Sequence, residues 1–218
     1  MKGSVFPCGF YFLAMDKICV FAASSPGLDA VYLDAGREMA EILSDRKICM
    51  NYGAGSVGIM GVMADTMLAK GGRVNGIIPG FMKDMGWAHP GLPEIKIVES
   101  MHERKAEMMK DVDAIISMPG GVGTLEELLE AITLKQLGQF LKPIIIVNTN
   151  GFYDPLLSHF KDMVEQRFMR PLHGTIWQVA EKPSEVLDLI EKEPDWDPTV
   201  IKYAAVEANQ GRVRTSGQ

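Results

Sequence analysis

Ser117-Met118-Pro119-Gly120-Gly121-Val122-Gly123-Thr124-Leu125-Glu126-Glu127 joins two segments of different periodicity. Before it, Asp113-Ala114-Ile115-Ile116 is a short apolar run that reads as a buried strand. After it, Leu128-Leu129-Glu130-Ala131-Ile132-Thr133-Leu134 has helical spacing and good helix formers. The stretch is therefore a strand, a glycine turn and the start of a helix predicted from Thr124 to about Leu137. Such a turn presents several backbone N–H groups at the positive end of a helix dipole, where a phosphate binds readily. Gly120, Gly121 and Gly123 allow close approach of a ligand to the backbone. Pro119 stiffens the entry and disfavours the α conformation at Met118.

Working outward, strands and helices alternate along the whole chain. Predicted strands fall at 17–22, 48–51, 74–78, 95–98, 113–117 and 143–147, with a candidate last strand at 176–179. Predicted helices cover 29–43, a segment opening at Gly58 and closed by Gly71-Gly72, a segment from Ser100, a segment from Asp154-Pro155, and 184–190. Ser100 with Glu103 forms a capping box. Pro79 to Glu94, rich in glycine and proline, reads as a long loop. The strands are apolar runs without polar alternation, as in a parallel sheet covered on both faces. The expected fold is a Rossmann-like, doubly wound three-layer α/β/α domain, with ligands at the carboxyl ends of the strands.

Length and composition narrow the class. With 218 residues, one domain with one substantial core is the default. It is assigned to 16–192, with 1–15 as a flexible N-terminal arm and 193–218 as a C-terminal tail. Residues 1–14 carry no motif and read as dispensable or as an upstream start rather than a targeting signal. No apolar run approaches the roughly 20 residues that span a bilayer. The net charge of −6 argues against a nucleic-acid surface. The three cysteines, Cys8, Cys19 and Cys49, form no CxxC pair and fit a reducing cytoplasm.

Several motifs carry two readings each. Gly53-x-Gly55-x-x-Gly58 matches a dinucleotide fingerprint literally, but the next strand ends Gly76-Ile77-Ile78-Pro79 without the carboxylate that would hold a ribose. A second glycine turn on the ligand edge, with Gly55 and Ser56 as contacts, is the preferred reading. Thr124-x-x-Glu127 is itself a capping box, so Glu127 is either a cap or a carboxylate beside the sugar of a bound nucleotide. Arg104 and Lys105 sit near a helix N-terminus, where the dipole disfavours cations. They are either a solvated face or ligands for phosphate and ribose oxygens. His102 reads as structural, and no His/Cys/Asp spacing supports a metal site. Met60, Met63, Met67, Met101, Met108 and Met109 read as core or subunit-interface packing.

Two of these motifs together, Pro119-Gly120-Gly121-x-Gly123-Thr124-x-x-Glu127 and Ser100-Met101-His102-Glu103-Arg104-Lys105-Ala106, resemble the LOG ("Lonely Guy") family. The resemblance runs from about Lys17 to Ile190. It includes Ser24-Ser25-Pro26-Gly27, His89-Pro90-Gly91-Leu92, Gln136-Leu137-Gly138 and Gly151-Phe152-Tyr153-Asp154. It implies a phosphoribohydrolase that frees the base from a nucleoside 5′-monophosphate, with N6-isopentenyl-AMP or AMP as substrate. It implies Arg104 and Glu127 as the catalytic pair. It implies nucleotide contacts from Lys105, Gly120, Gly121, Val122, Gly123, Thr124, Leu125, Glu126 and Thr133. It further implies a homodimer or larger assembly, for which the methionine-rich helix 58–69 offers apolar surface, and neither cofactor nor metal. Some members carry a lysine decarboxylase label, for which these residues give no independent support. The chain departs from the family pattern at Ala22-Ala23, Ala54, Gly80-Phe81-Met82-Lys83 and Lys135, all expected near the ligand edge.

The expected chemistry is attack of water on C1′ through an oxocarbenium-like state, stabilised by the Glu127 carboxylate. The rival classes are a non-catalytic nucleotide sensor or carrier on the same fold, and an oxidoreductase. The Arg104–Glu127 pair discriminates against the first, because a pure binder does not need both.

Overall fold

The computed structural model describes residues 15–193 together with 196, 197 and 199. Residues 1–14 of the predicted arm and most of the predicted tail lie outside the described residues. The elements in chain order are β1 (Lys17–Phe21), α1 (Ala30–Asp45), β2 (Cys49–Tyr52), α2 (Gly58–Ala69), β3 (Val74–Pro79), α3 (Gly80–Asp84), β4 (Ile95–Val98) and α4 (Met101–Met109). They continue with β5 (Ala114–Ser117), α5 (Val122–Gln136), β6 (Ile144–Val147), α6 (Asp154–Glu165), β7 (Gln178–Ala180) and α7 (Val186–Lys192).

The strands form one seven-stranded sheet in the order β4-β3-β2-β1-β5-β6-β7, and every pairing is parallel. The order reverses between β1 and β5, which is the topological switch point of a doubly wound sheet. Strand residues serve two cores in turn, because successive side chains point to opposite faces. Ile18, Val20, Met50, Ile116 and Ile145 pack with α1, α2 and α7. Cys19, Phe21, Ile115, Ile144 and Ile146 pack with α4, α5 and α6. Both faces are covered, which is why the central strands β1, β5 and β6 are apolar and buried along most of their length.

Three details differ from the sequence reading. The long loop contains the short helix α3, and an isolated antiparallel bridge between Gly55 and Ala88 ties its far end to the second glycine turn. Helix α5 starts at Val122 rather than Thr124, with Gly121 as its N-cap. Glu126 and Glu127 therefore lie in its second turn, and Thr124 caps nothing. The α2 methionines are spent inside one protomer: Met60, Met63 and Met67 are all buried, so this helix leaves no methionine face for pairing.

The Ser100 cap forms as expected, accepting the Glu103 N–H at 3.1 Å. Glu103 completes it by taking the N–H of Glu99, one residue before the cap, at 2.8 Å.

Candidate active site

The first three N–H groups of α5, on Val122, Gly123 and Thr124, have no acceptor within their own helix. The peptide before them is pinned at the switch point. Met118 donates its N–H to the Phe21 carbonyl at 2.8 Å, and the Pro119 carbonyl accepts from Ala23 at 3.1 Å. Gly120 is obligatory for packing: a Cβ there would lie 2.1 Å from Thr124 Oγ1. Around Gly121 and Gly123 a Cβ would meet nothing within 4 Å, so the space in front of the helix end is open.

Arg104, on the first turn of α4, reaches across this edge. It is 5% exposed, and its guanidinium makes three bonds inside the protein. Nη1 donates to Glu127 Oε1 at 3.0 Å, Nη2 to the Gly53 carbonyl at 3.1 Å and Nε to the Ile77 carbonyl at 3.3 Å. The planar fork suits this triple anchoring, which a lysine could not reproduce. A Cβ on Gly53 would lie 1.7 Å from Nη2. The first glycine of the apparent dinucleotide fingerprint is there to let an arginine pass.

Glu127 is 3% exposed, and its second oxygen, Oε2, has no hydrogen-bond partner among the described residues. An unpaired buried carboxylate oxygen is costly. Burial pushes the carboxyl up to about 7, against the pull of Arg104 and helped by the like charge of Glu126. Beneath the pair, burial and the Glu127 charge push the Cys19 thiol well up, leaving it inert. Glu127 lies five residues beyond Val122, about 7.5 Å along the helix. A phosphate held at the helix end would place its sugar beside the carboxylate.

Lys105 points to the outer side of the same helix pair. Its ammonium is ion-paired with Glu126 and Glu130. Burial works against its charge, but the two carboxylates hold it above its ordinary range. This triad braces α4 against α5. Leu125 turns inward to the core, and its N–H is used by the Gly121 carbonyl at 3.0 Å. Thr133 is not brought to the cluster. It is exposed, its hydroxyl bonds the Leu129 carbonyl at 2.8 Å, and it lies about 16 Å along α5 from the helix start. Lys135 is also far from the ligand edge; it is enclosed at the other end of α5 against Glu193.

A cavity of about 470 Å³ opens beside Arg104. Gly53, Gly55, Ser56 and Ser24 line its polar side, and Met60, Ile78, Met82 and Trp87 its apolar side. Ser56 Oγ lies 3.5 Å from the Trp87 carbonyl. Met82 and Trp87 come from the segment read as a featureless loop, and no periodicity marks them. Gly53, Gly55 and Ser56 were visible as a glycine turn, but its anchoring of Arg104 was not. Among the described residues no lysine lines the cavity, and Lys105 is engaged by two carboxylates, so these residues do not offer the amine of a pyridoxal Schiff base. Among the described residues, no group of three His, Cys, Asp or Glu side chains could hold a metal ion, and no helix is long and apolar enough to cross a membrane.

Comparison with known proteins bears on this geometry. A family model described as "Possible lysine decarboxylase" matches residues 60–190. Two Arabidopsis thaliana proteins named cytokinin riboside 5′-monophosphate phosphoribohydrolase are similar along most of their length. One, LOG7, is 38% identical over 195 residues, covering 89% of this chain and 90% of the relative. The other, LOG1, is 41% identical over 189 residues, covering 87% of each. Among solved structures, the molybdenum cofactor binding protein of Rippkaea orientalis superposes with a TM-score of 0.62 at 18% identity, covering 81% of this chain and 96% of that one. The molybdenum cofactor carrier protein of Chlamydomonas reinhardtii gives 0.59 at 14%, covering 82% and 97%. These two share the fold alone. The match to the full-length relatives, on a chain whose glycine turn, arginine and buried glutamate converge on one sheet edge, shows that it belongs to the LOG family.

Proposed function

We propose that the chain is a phosphoribohydrolase that cleaves the N-glycosidic bond of a nucleoside 5′-monophosphate, yielding free base and ribose 5-phosphate. The observation that carries this reading is the buried Arg104–Glu127 pair with one carboxylate oxygen unpartnered among the described residues, beside the open N-terminus of α5. The N–H groups from Val122 to Thr124 hold the 5′-phosphate. The base occupies the cavity walled by Met60, Ile78, Met82 and Trp87, with Gly55 and Ser56 at its polar side.

As the glycosidic bond breaks, positive charge develops at C1′. The ionised Glu127 faces that charge and orients the attacking water with Oε2. Arg104 holds Glu127 in place and keeps it partly ionised despite burial. Binding energy from the phosphate, remote from C1′, keeps the reacting centre in register. Lys105 and Glu126 act as the brace between the two helices. Both AMP and its N6-substituted forms are candidate substrates. The apolar wall favours an apolar substituent on the base.

The assembly is a homodimer or larger, in the cytoplasm. Support for pairing comes from the outer face of α5, where Val122 is 83% and Leu129 43% exposed. Thr133 lies toward this face, so any contact it makes with a nucleotide would be across a subunit boundary.

The direct test is incubation with a panel of nucleoside monophosphates and nucleosides, with chromatography for free base and ribose 5-phosphate. Cleavage of AMP or isopentenyl-AMP, with adenosine untouched, is expected. Binding without cleavage would leave the sensor or carrier reading; equal turnover of adenosine and AMP would refute the phosphate site.

A further inference from the structure

The Gly151-Phe152-Tyr153-Asp154 motif has no part in the chemistry above, yet its tyrosine ends directly beneath the phosphate turn. After β6 the chain turns through a short 3-10 segment, Thr149–Gly151, with positive φ at Asn150 and Gly151. Asn148 organises the turn. Its N–H bonds the Ala180 carbonyl at 2.7 Å, its Oδ1 accepts the Tyr153 N–H at 2.8 Å, and its Nδ2 donates to Asp154 Oδ1 at 2.8 Å. Gly151 cannot carry a side chain, since a Cβ would lie 2.6 Å from Asp154 Oδ2.

The result drives the Tyr153 ring, 1% exposed, under the end of β5. Its hydroxyl donates to the Met118 carbonyl at 2.7 Å and lies 3.3 Å from Ser117 Oγ. Burial pushes this phenol up to about 12, so it remains a donor near neutral pH. Phe152 stacks edge-on against the ring at 4.9 Å between centroids. The Met118 carbonyl lies beyond the last paired residue of β5, so no strand neighbour fixes it. The next carbonyl, of Pro119, is held from the β1 side by Ala23. Two consecutive carbonyls are thus restrained from opposite flanks, and the peptides after them are Gly120 and Gly121, which have little stiffness of their own.

We propose that Tyr153 is a positioning residue for the phosphate turn: its hydroxyl fixes the Met118 carbonyl and so aims the N–H groups of Val122, Gly123 and Thr124. It touches neither substrate nor reacting atoms. The inference rests on the nucleotide 5′-phosphate reading of the site.

Tyr153→Phe keeps the ring and removes only the hydroxyl. Calorimetric titration with AMP, alongside kcat and KM on isopentenyl-AMP, should show affinity falling about tenfold and KM rising in step, the scale of one buried hydrogen bond. The kcat should stay within about threefold. A purely structural tyrosine would lower the melting temperature and leave AMP affinity unchanged, which would overturn the inference. If Tyr153→Phe does not fold, Asp154→Ala loosens Asn148 from the exposed end and should weaken AMP binding by about threefold; unchanged binding there also overturns it. The wild type separates the two readings. If it binds AMP without cleaving any monophosphate, the hydrolase reading falls and the Tyr153 inference stands. If it binds no 5′-phosphate, both fall.

Discussion

Helix α5 carries a buried ion pair at each end, and the two are finished differently. At its C-terminal end Lys135, fully enclosed, pairs with Glu193. The second oxygen of Glu193 accepts from Gln178 Nε2 at 2.8 Å, the Trp196 ring lies 5.4 Å from the ammonium, and the Trp196 N–H caps the Lys135 carbonyl at 3.0 Å. Every charge there has a partner. At the N-terminal end each nitrogen of the Arg104 guanidinium has an acceptor, but Glu127 keeps one oxygen unpaired among the described residues. A buried pair that is complete can only hold structure. One that leaves a buried carboxylate oxygen without a partner among the described residues has something left to offer a substrate, at a cost in stability.

The sharpest way to break this contrast is Glu127→Gln. Glutamine can still accept from Arg104 and keeps the size, but it cannot oppose positive charge at C1′. We expect kcat to fall about 10²-fold or more, roughly 3 kcal/mol of transition-state stabilisation, with AMP affinity little altered. Near-normal turnover would make the N-terminal pair as structural as the C-terminal one.

The pH dependence sharpens it further. With the carboxyl at about 7 and its ionised form active, kcat/KM should fall about tenfold per unit below that value, and this limb should vanish in Glu127→Gln. Folding runs the other way. The folded pKa lies above the ordinary 4.5, so the folded form takes up a proton between the two values, and stability declines as pH rises across that window. Denaturant titration at pH 5 and pH 8 should show Glu127→Gln gaining on the wild type at the higher pH. A constant difference would contradict the raised value.

Lys135→Met tests the other end. It leaves Glu193 without its cation. A buried pair broken this way costs about 3–5 kcal/mol, but Glu193 lies just past the end of α7 and can turn toward water, so about 2–3 kcal/mol is expected. That is a loss of roughly 5–10 °C in melting temperature with kcat unchanged at low temperature. A fall in kcat comparable with that of Glu127→Gln would erase the distinction between the pairs.

The smallest effect should come from Ser100→Ala, which touches neither pair but frays the start of the helix carrying Arg104. Loss of the cap costs about 1 kcal/mol. A modest rise in KM with kcat nearly intact is expected; an unchanged melting temperature would show the cap to be dispensable.

What could be read in advance followed from local rules. Apolar runs alternating with helical spacing implied a parallel doubly wound sheet, since a strand buried on both faces has no polar position to spare. The glycine turn and the Ser100 cap were visible because each works within a few residues of chain. Arg104 and Glu127 stood out through the family resemblance of their motifs; spacing alone left Glu127 as either a cap or a carboxylate beside the sugar, and the start of α5 at Val122 removed the cap reading. Other features depend on elements far apart in sequence. Gly53 yields space to an arginine 51 residues away, Trp87 enters the cavity from a loop without periodicity, and Lys135 faces a glutamate 58 residues on. Sequence determined which segments would be strand, turn and helix, because propensity and capping are short-range. Only the tertiary structure decided which carboxylate would be left half-paired, because burial and hydrogen-bond completion depend on what the whole sheet edge brings together.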